Sequence, residues 1–128
     1  TSGTNAIAQR AAIAALKAPK SKIQYMIDEF KKRRDLVLAL LSEVEGLKVN
    51  VPEGAFYVFP DVSSFFGKTL RGRTIRNASD FSLYLLEEAM VATVTGEAFG
   101  DANCIRISYA ASEKELREAI RRIKESLA

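Results

Sequence analysis

The chain has 128 residues, 48% apolar and 27% charged, a balance that excludes a disordered or collagen-like polymer and suits one domain with a modest core. Nineteen Lys and Arg against 16 Asp and Glu leave a net charge of +3, too weak to argue for a nucleic-acid partner. With no His, a Ser-His-Asp triad, a Cys-His pair and any His-ligated metal site are excluded; with Cys104 alone, an intrachain disulfide is excluded, which suits a reducing, cytoplasmic setting.

No apolar run approaches the roughly 18 residues that span a bilayer, so no membrane partner is expected. No charged-then-apolar leader of the signal-peptide kind opens the chain either. It starts at Thr1 and TSGTNAIAQR reads as the approach to a helix within a larger protein, so the expectation is a fragment.

Ile7, Ala8, Ala11, Ala12, Ala15 and Leu16 recur at helical spacing, which predicts a first helix over 4–18 with Thr4 or Asn5 as its cap and Pro19 as its stop. A long helix over 22–44 follows, with Ile23, Met26, Ile27, Phe30, Val37, Leu41 and Val44 on one face, a Ser21–Gln24 capping box and Gly46 beyond its end. Alternation at Leu47, Val49 and Val51 predicts a strand. After the Pro52-Glu53-Gly54 turn, the run AFYVFP (55–60) predicts a strand buried on both faces. Residues 61–79 read as a long polar loop with a short helix near Phe65.

Residues 80–90 predict a helix with Phe81, Leu85 and Ala89 inward, and 91–95 a short strand; a loop over 96–103 follows. In the strand over 104–110, Ile105, Ile107 and Tyr109 share one face and Arg106, Ser108 and Ala110 the other. Ser112 with Glu115 forms a capping box for a last helix that buries Leu116, Ala119, Ile120, Ile123 and Leu127. The order α-α-β-β-α-β-β-α predicts an α+β fold of two layers, helices packed on a small mixed or antiparallel sheet.

Most chemical signals are weak. Lys31 to Arg34, and Lys68, Arg71, Arg73 and Arg76, are closely flanked by the acidic Asp28, Glu29, Asp35 and Asp80 and read as solvated surface. Gly67-Lys68-Thr69 lacks the earlier glycine of a phosphate-binding loop, position 62 being Val62. Glu43 with Glu45, and Glu87 with Glu88, lie on helix surfaces, where nothing raises a carboxyl into general-acid range. Cys104 reads as a buried small hydrophobe. Arg106 differs: a strand fixes its backbone and so aims its guanidinium, whose fork of donors suits a carboxylate. An edge-strand arginine or an internal salt bridge is the competing reading.

PEGAFYVFPDVS (52–63), VTGEAFG (94–100), IRISYA (105–110) and the closing SEKELREAIRRI helix occur in one order, and the opening TSGTNAIAQRAAIAAL fits with them. Together they resemble the C-terminal small domain of class I, fold-type I pyridoxal-phosphate aminotransferases, most of all the bacterial aspartate aminotransferase branch. The resemblance covers essentially the whole chain. It implies a small domain over 1–128, with 1–19 joining it to a large cofactor-binding domain of the same chain, and it implies a homodimer when full-length. Substrates would be an amino acid and a 2-oxo acid, with Arg106 binding the α-carboxylate and Gly54 and Phe56 near the substrate entrance. The small domain would close over substrate. The Schiff-base lysine of the family sits in an S-K-x-x-(A/S) context found nowhere here, so pyridoxal 5'-phosphate is expected in the full-length enzyme and not in this fragment, which would be inactive alone. The alternative is a non-catalytic α+β module that holds a carboxylate or acidic peptide through Arg106.

Overall fold

The computed structural model describes residues 3–128. Helix α1 (Ala6–Lys17) begins where the Asn5 side chain accepts a hydrogen bond from the Ala8 N–H, and it ends at Ala18, whose extended backbone precedes Pro19. It has no buried residue: its alanine stripe finds no partner here, and Ile7 and Leu16 are 84% and 87% exposed.

Helix α2 (Gln24–Ser42) is about 28 Å long at 1.5 Å per residue. The expected Ser21–Gln24 capping box does not form. A 3-10 turn over Lys20–Lys22 runs straight into the helix, the Ile23 N–H bonds Lys20 O, and the Gln24 amide turns forward to Asp28 Oδ1 at 3.0 Å. Val37, Leu41 and Val44 are buried, whereas Ile23, Met26 and Ile27 are exposed because the first half of the helix runs past the sheet. Gly46, at φ +91°, turns the chain after the helix in the left-handed conformation expected there.

The strand expected over 47–51 shrinks to one bridge, Lys48 to Asp61. Strand β1 is only Tyr57–Val58; Val58 and Pro60 are buried while Tyr57 and Phe59, on the opposite face, are only half-buried, so the run is buried on one face and not on both. The predicted polar loop contains a 3-10 turn over Ser63–Phe65 and an unforeseen hairpin, β2 (Thr69–Leu70) and β3 (Arg73–Thr74). Helix α3 (Ala78–Glu88) is capped by the Asn77 side chain. Strand β4 (Val94–Thr95), a 3-10 turn over Gly96–Phe99, strand β5 (Ile105–Ser108) and helix α4 (Glu113–Leu127) complete the chain. The Ser112–Glu115 capping box forms as expected, Ser112 Oγ accepting from the Glu115 N–H and the Glu115 carboxylate from the Ser112 N–H.

The fold is α+β. Its main sheet is antiparallel in the order β1-β5-β4, with Tyr57 opposite Ser108, Val58 opposite Ile107 and Val94 opposite Arg106. Val58, Ile105 and Ile107 turn to one face and pack with Val37, Leu41, Phe81, Leu85, Ile120 and Ile123. Tyr84 spans the helical layer and donates from its hydroxyl to Ser126 O. Phe81 is fully buried with its ring centroid 4.9 Å from that of Phe65. Phe81→Ala is expected to cost about 3–5 kcal/mol, read as a lower urea midpoint for the chain.

Candidate functional site

The second face of the sheet follows from the same alternation. Tyr57, Arg106 and Ser108 point away from the core, and no α-helix among the described residues closes over them. The register carried one residue further, supported by the Ile105 N–H to Pro60 O bond at 3.1 Å, places Phe59 opposite Arg106. The 96–99 turn brings Phe99 back across this face.

Arg106 therefore stands on the central strand, which removes the edge-strand reading. Among the described residues its side chain makes no ion pair and no hydrogen bond, which removes the internal salt bridge as well. Its contacts are aromatic: Cζ lies 4.5 Å from the Phe99 ring centroid and 5.5 Å from that of Tyr57. A ring attracts a guanidinium through its negative face and leaves the in-plane N–H edge free. The side chain is half-buried. A half-buried cation with unused donors is set up to take an anion with two parallel acceptors, such as a carboxylate.

Gly54 and Phe56 are elsewhere. They line an apolar groove of about 460 Å³ with Ile23, just before α2, and Met26, Ile27 and Phe30 of α2, and Arg106 is not part of it. Phe56 is held by its carbonyl, which accepts from the Tyr109 N–H at 2.8 Å, and Tyr109 Oη donates to Ala55 O at 3.1 Å. Tyr57 links the two regions, its ring packed edge-on against Phe56 at 6.1 Å while the Arg106 guanidinium lies over it. The fold thus brings Arg106 together with Tyr57 and Phe99, and not directly with Gly54. Neither aromatic stood out in the sequence. Tyr57 and Phe59 alternate with Val58 and so belong to one face, a signal hidden by the apolar run, while Phe99 lies in what reads as a plain loop.

The other candidates recede. Most cations of the basic stretches pair with acids, among them Lys32 with Glu29 at 3.1 Å, Arg34 with Asp35 at 2.8 Å, Arg76 with Asp80 at 2.7 Å, and Arg73 with Glu87. Arg76, by hydrogen bond and charge, holds the Asp80 carboxyl below its usual range. No group of three metal-ligating side chains and no helix long and apolar enough to cross a membrane occurs among the described residues.

Burial, with a hydrogen bond to Asp101 adding to it, pushes the Cys104 thiol from the usual 9.0 up to about 11. The folded chain then keeps this proton between pH 9 and 11 while the unfolded chain loses it, so this group makes stability fall as pH rises through that window. Native Cys104 is expected to resist iodoacetamide at pH 9 and to react quickly once urea unfolds the chain. Equal rates in both states would contradict the burial argument.

Arg106 thus faces outward from the central strand of an α+β unit, between two aromatic rings. Residues 2–123 match the family model described as aminotransferase class I and II, and the chain belongs to that family. It is 46% identical over 99% of its length to the bifunctional aspartate aminotransferase and glutamate/aspartate-prephenate aminotransferase of Petunia hybrida, and 47% identical over 96% to the aspartate aminotransferase of Rhizobium meliloti strain 1021. It covers 27% and 30% of those two proteins, so the chain spans under a third of the curated relatives it matches. Among solved structures, it superposes on the aspartate aminotransferase of Rhizobium meliloti with a TM-score of 0.88 at 44% identity, covering 94% of this chain and 30% of that one. For the alanine aminotransferase of Pyrococcus furiosus the TM-score is 0.84 at 31% identity, covering 96% of this chain and 30% of that one.

The described residues do not make a seat for pyridoxal phosphate. A lysine that forms an imine has to be desolvated or crowded by charge to lose its proton, and every lysine here is exposed. The open sheet face carries Arg106 and aromatic rings, and no lysine lines either the groove or that face in a buried position.

Proposed function

We propose that this chain is the small, closing domain of an aminotransferase that moves an amino group between an amino acid and a 2-oxo acid, with aspartate as a donor. Residues 1–19 join it to a large domain in the same polypeptide, which carries pyridoxal phosphate; the whole protein is a cytoplasmic homodimer. The supporting observation is Arg106, a half-buried guanidinium on a central strand with its N–H edge unclaimed. The aspartate aminotransferase names of the relatives, and their roughly threefold greater length, support the rest.

Arg106 binds the substrate α-carboxylate through two parallel charge-assisted hydrogen bonds and orients the rest of the molecule. Fixing one end of a small substrate on a stiff strand limits the angles at which its Cα can present a bond to the reacting partner, and such positioning lowers barriers by up to about 7–11 kcal/mol in the most favourable systems. Because the arginine belongs to the moving domain, carboxylate binding also favours closure and the exclusion of water. The exposed face of α1 is the surface the large domain covers. Gly54 and Phe56 border the entrance through the α2 groove. Membership of the aminotransferase family weighs against a stand-alone module for acidic peptides.

The intact protein, assayed with 2-oxoglutarate against a panel of amino donors, is expected to convert L-aspartate to oxaloacetate. Failure to transfer an amino group from any α-amino acid would reject the proposal.

A further inference from the structure

We infer that Phe99 is a positioning residue for Arg106: its ring sets the plane of the guanidinium so that the N–H edge faces an incoming carboxylate. The inference rests on the carboxylate-binding reading of Arg106 and adds to it the group that aims the arginine. An acidic residue would hold Arg106 equally well, but it would occupy the donors the substrate needs. A ring binds the face of the cation and spares its edge.

Three observations converge on Phe99. Its centroid, 4.5 Å from Arg106 Cζ, is the nearer of the two rings on that group. The ring is 48% exposed and belongs to no part of the core, so burial does not explain it. It is also buttressed and tied down. Phe59, across the strand pair from Arg106, packs edge-on against it at 6.4 Å, and the turn that carries it is fastened to the residue just before β5 by the Gly96 N–H to Cys104 O bond at 2.7 Å. This anchor, Cys104, is only two residues from Arg106, which ties the ring to the same stretch of chain as the guanidinium.

The test uses the intact protein with L-aspartate and 2-oxoglutarate. Phe99→Leu and Phe99→Met keep apolar bulk and delete the ring; Phe99→Tyr keeps the ring. Loss of the ring is expected to raise KM for L-aspartate about three- to tenfold with a smaller effect on kcat, while Tm is unchanged and Phe99→Tyr stays within about twofold of the parent. Combined with Arg106→Leu, Phe99→Leu is expected to add nothing further, because the group it serves is gone. An unchanged KM in Phe99→Leu overturns the inference, as does a loss that adds in full to that of Arg106→Leu. A lowered Tm in both ring-deleting variants also overturns it, making the ring structural. If Arg106→Leu itself binds L-aspartate normally, the carboxylate reading fails first; if Arg106→Leu is impaired and Phe99→Leu is not, only the role of Phe99 fails.

Discussion

Arg106→Leu in the intact protein is expected to lower kcat/KM for L-aspartate by roughly 30- to 3,000-fold, the equivalent of about 2–5 kcal/mol for truncating one partner of a desolvated, hydrogen-bonded charge pair. The loss divides between the two parameters. KM rises because the carboxylate loses both hydrogen bonds, and kcat falls because a substrate held only at its other groups visits the reactive angle less often. Arg106→Lys keeps the charge and loses the fork, so it is expected to fall between the two, about ten- to 100-fold below the parent. Stability is expected to change little, since the Arg106 side chain has no ion pair or hydrogen bond among the described residues and its rings are partly exposed. A large fall in Tm in Arg106→Leu would mean that the side chain is structural, contrary to its geometry.

Gly96→Ala is expected to be strongly destabilising for a change of one methyl group. A Cβ at this position would come within 2.8 Å of the Cys104 carbonyl carbon and nearer still to the carbonyl oxygens of Asp101 and Cys104. These are backbone atoms, so no side chain can swing away to make room. Relief requires the 96–100 turn to lift off β5, which breaks the Gly96 N–H to Cys104 O and Asp101 N–H to Gly96 O bonds. The expected cost is about 2–3 kcal/mol in urea unfolding, at the upper end for overpacking. The same shift withdraws Phe99 from Arg106, so KM for the amino acid should rise with it. Gly54→Ala is the matched control. Its Cβ meets nothing within 4 Å, and the substitution is expected to change stability by no more than about 0.5 kcal/mol. A Gly96→Ala chain as stable as the parent would show that the turn is looser than its packing implies.

Much of the fold was legible because its signals are local. Helical periodicity, the Asn5 side chain and the Ser112–Glu115 box act within a few residues, and α1 and α4 lie where those features place them. Alternation in IRISYA separated Ile105, Ile107 and Tyr109 from Arg106, Ser108 and Ala110, and the structure buries the first three and leaves Arg106 on the other face. What was not legible depends on partners distant in sequence. Periodicity marks the apolar face of α2 without saying what covers it, so Ile23 and Met26 read as core and lie exposed. The β2–β3 hairpin has too few apolar residues to alternate; it is held by tertiary links such as Arg71 to the Glu125 carbonyl at 3.0 Å. The candidate site was half legible. A strand aims Arg106, and that is visible in one line of sequence. The rings beside it come from β1 and from the 96–99 turn, and only folding brings them there.

The central claim is that Arg106 takes the substrate carboxylate, and a crystal structure of the intact protein with bound α-methyl-aspartate tests it most directly, since a donor without a Cα hydrogen cannot go on to lose one. The expected result is two parallel hydrogen bonds, each about 2.7–2.9 Å, from the Arg106 guanidinium to the α-carboxylate, with the Phe99 ring still against its face. An α-carboxylate bound by other residues while Arg106 points elsewhere would contradict the account.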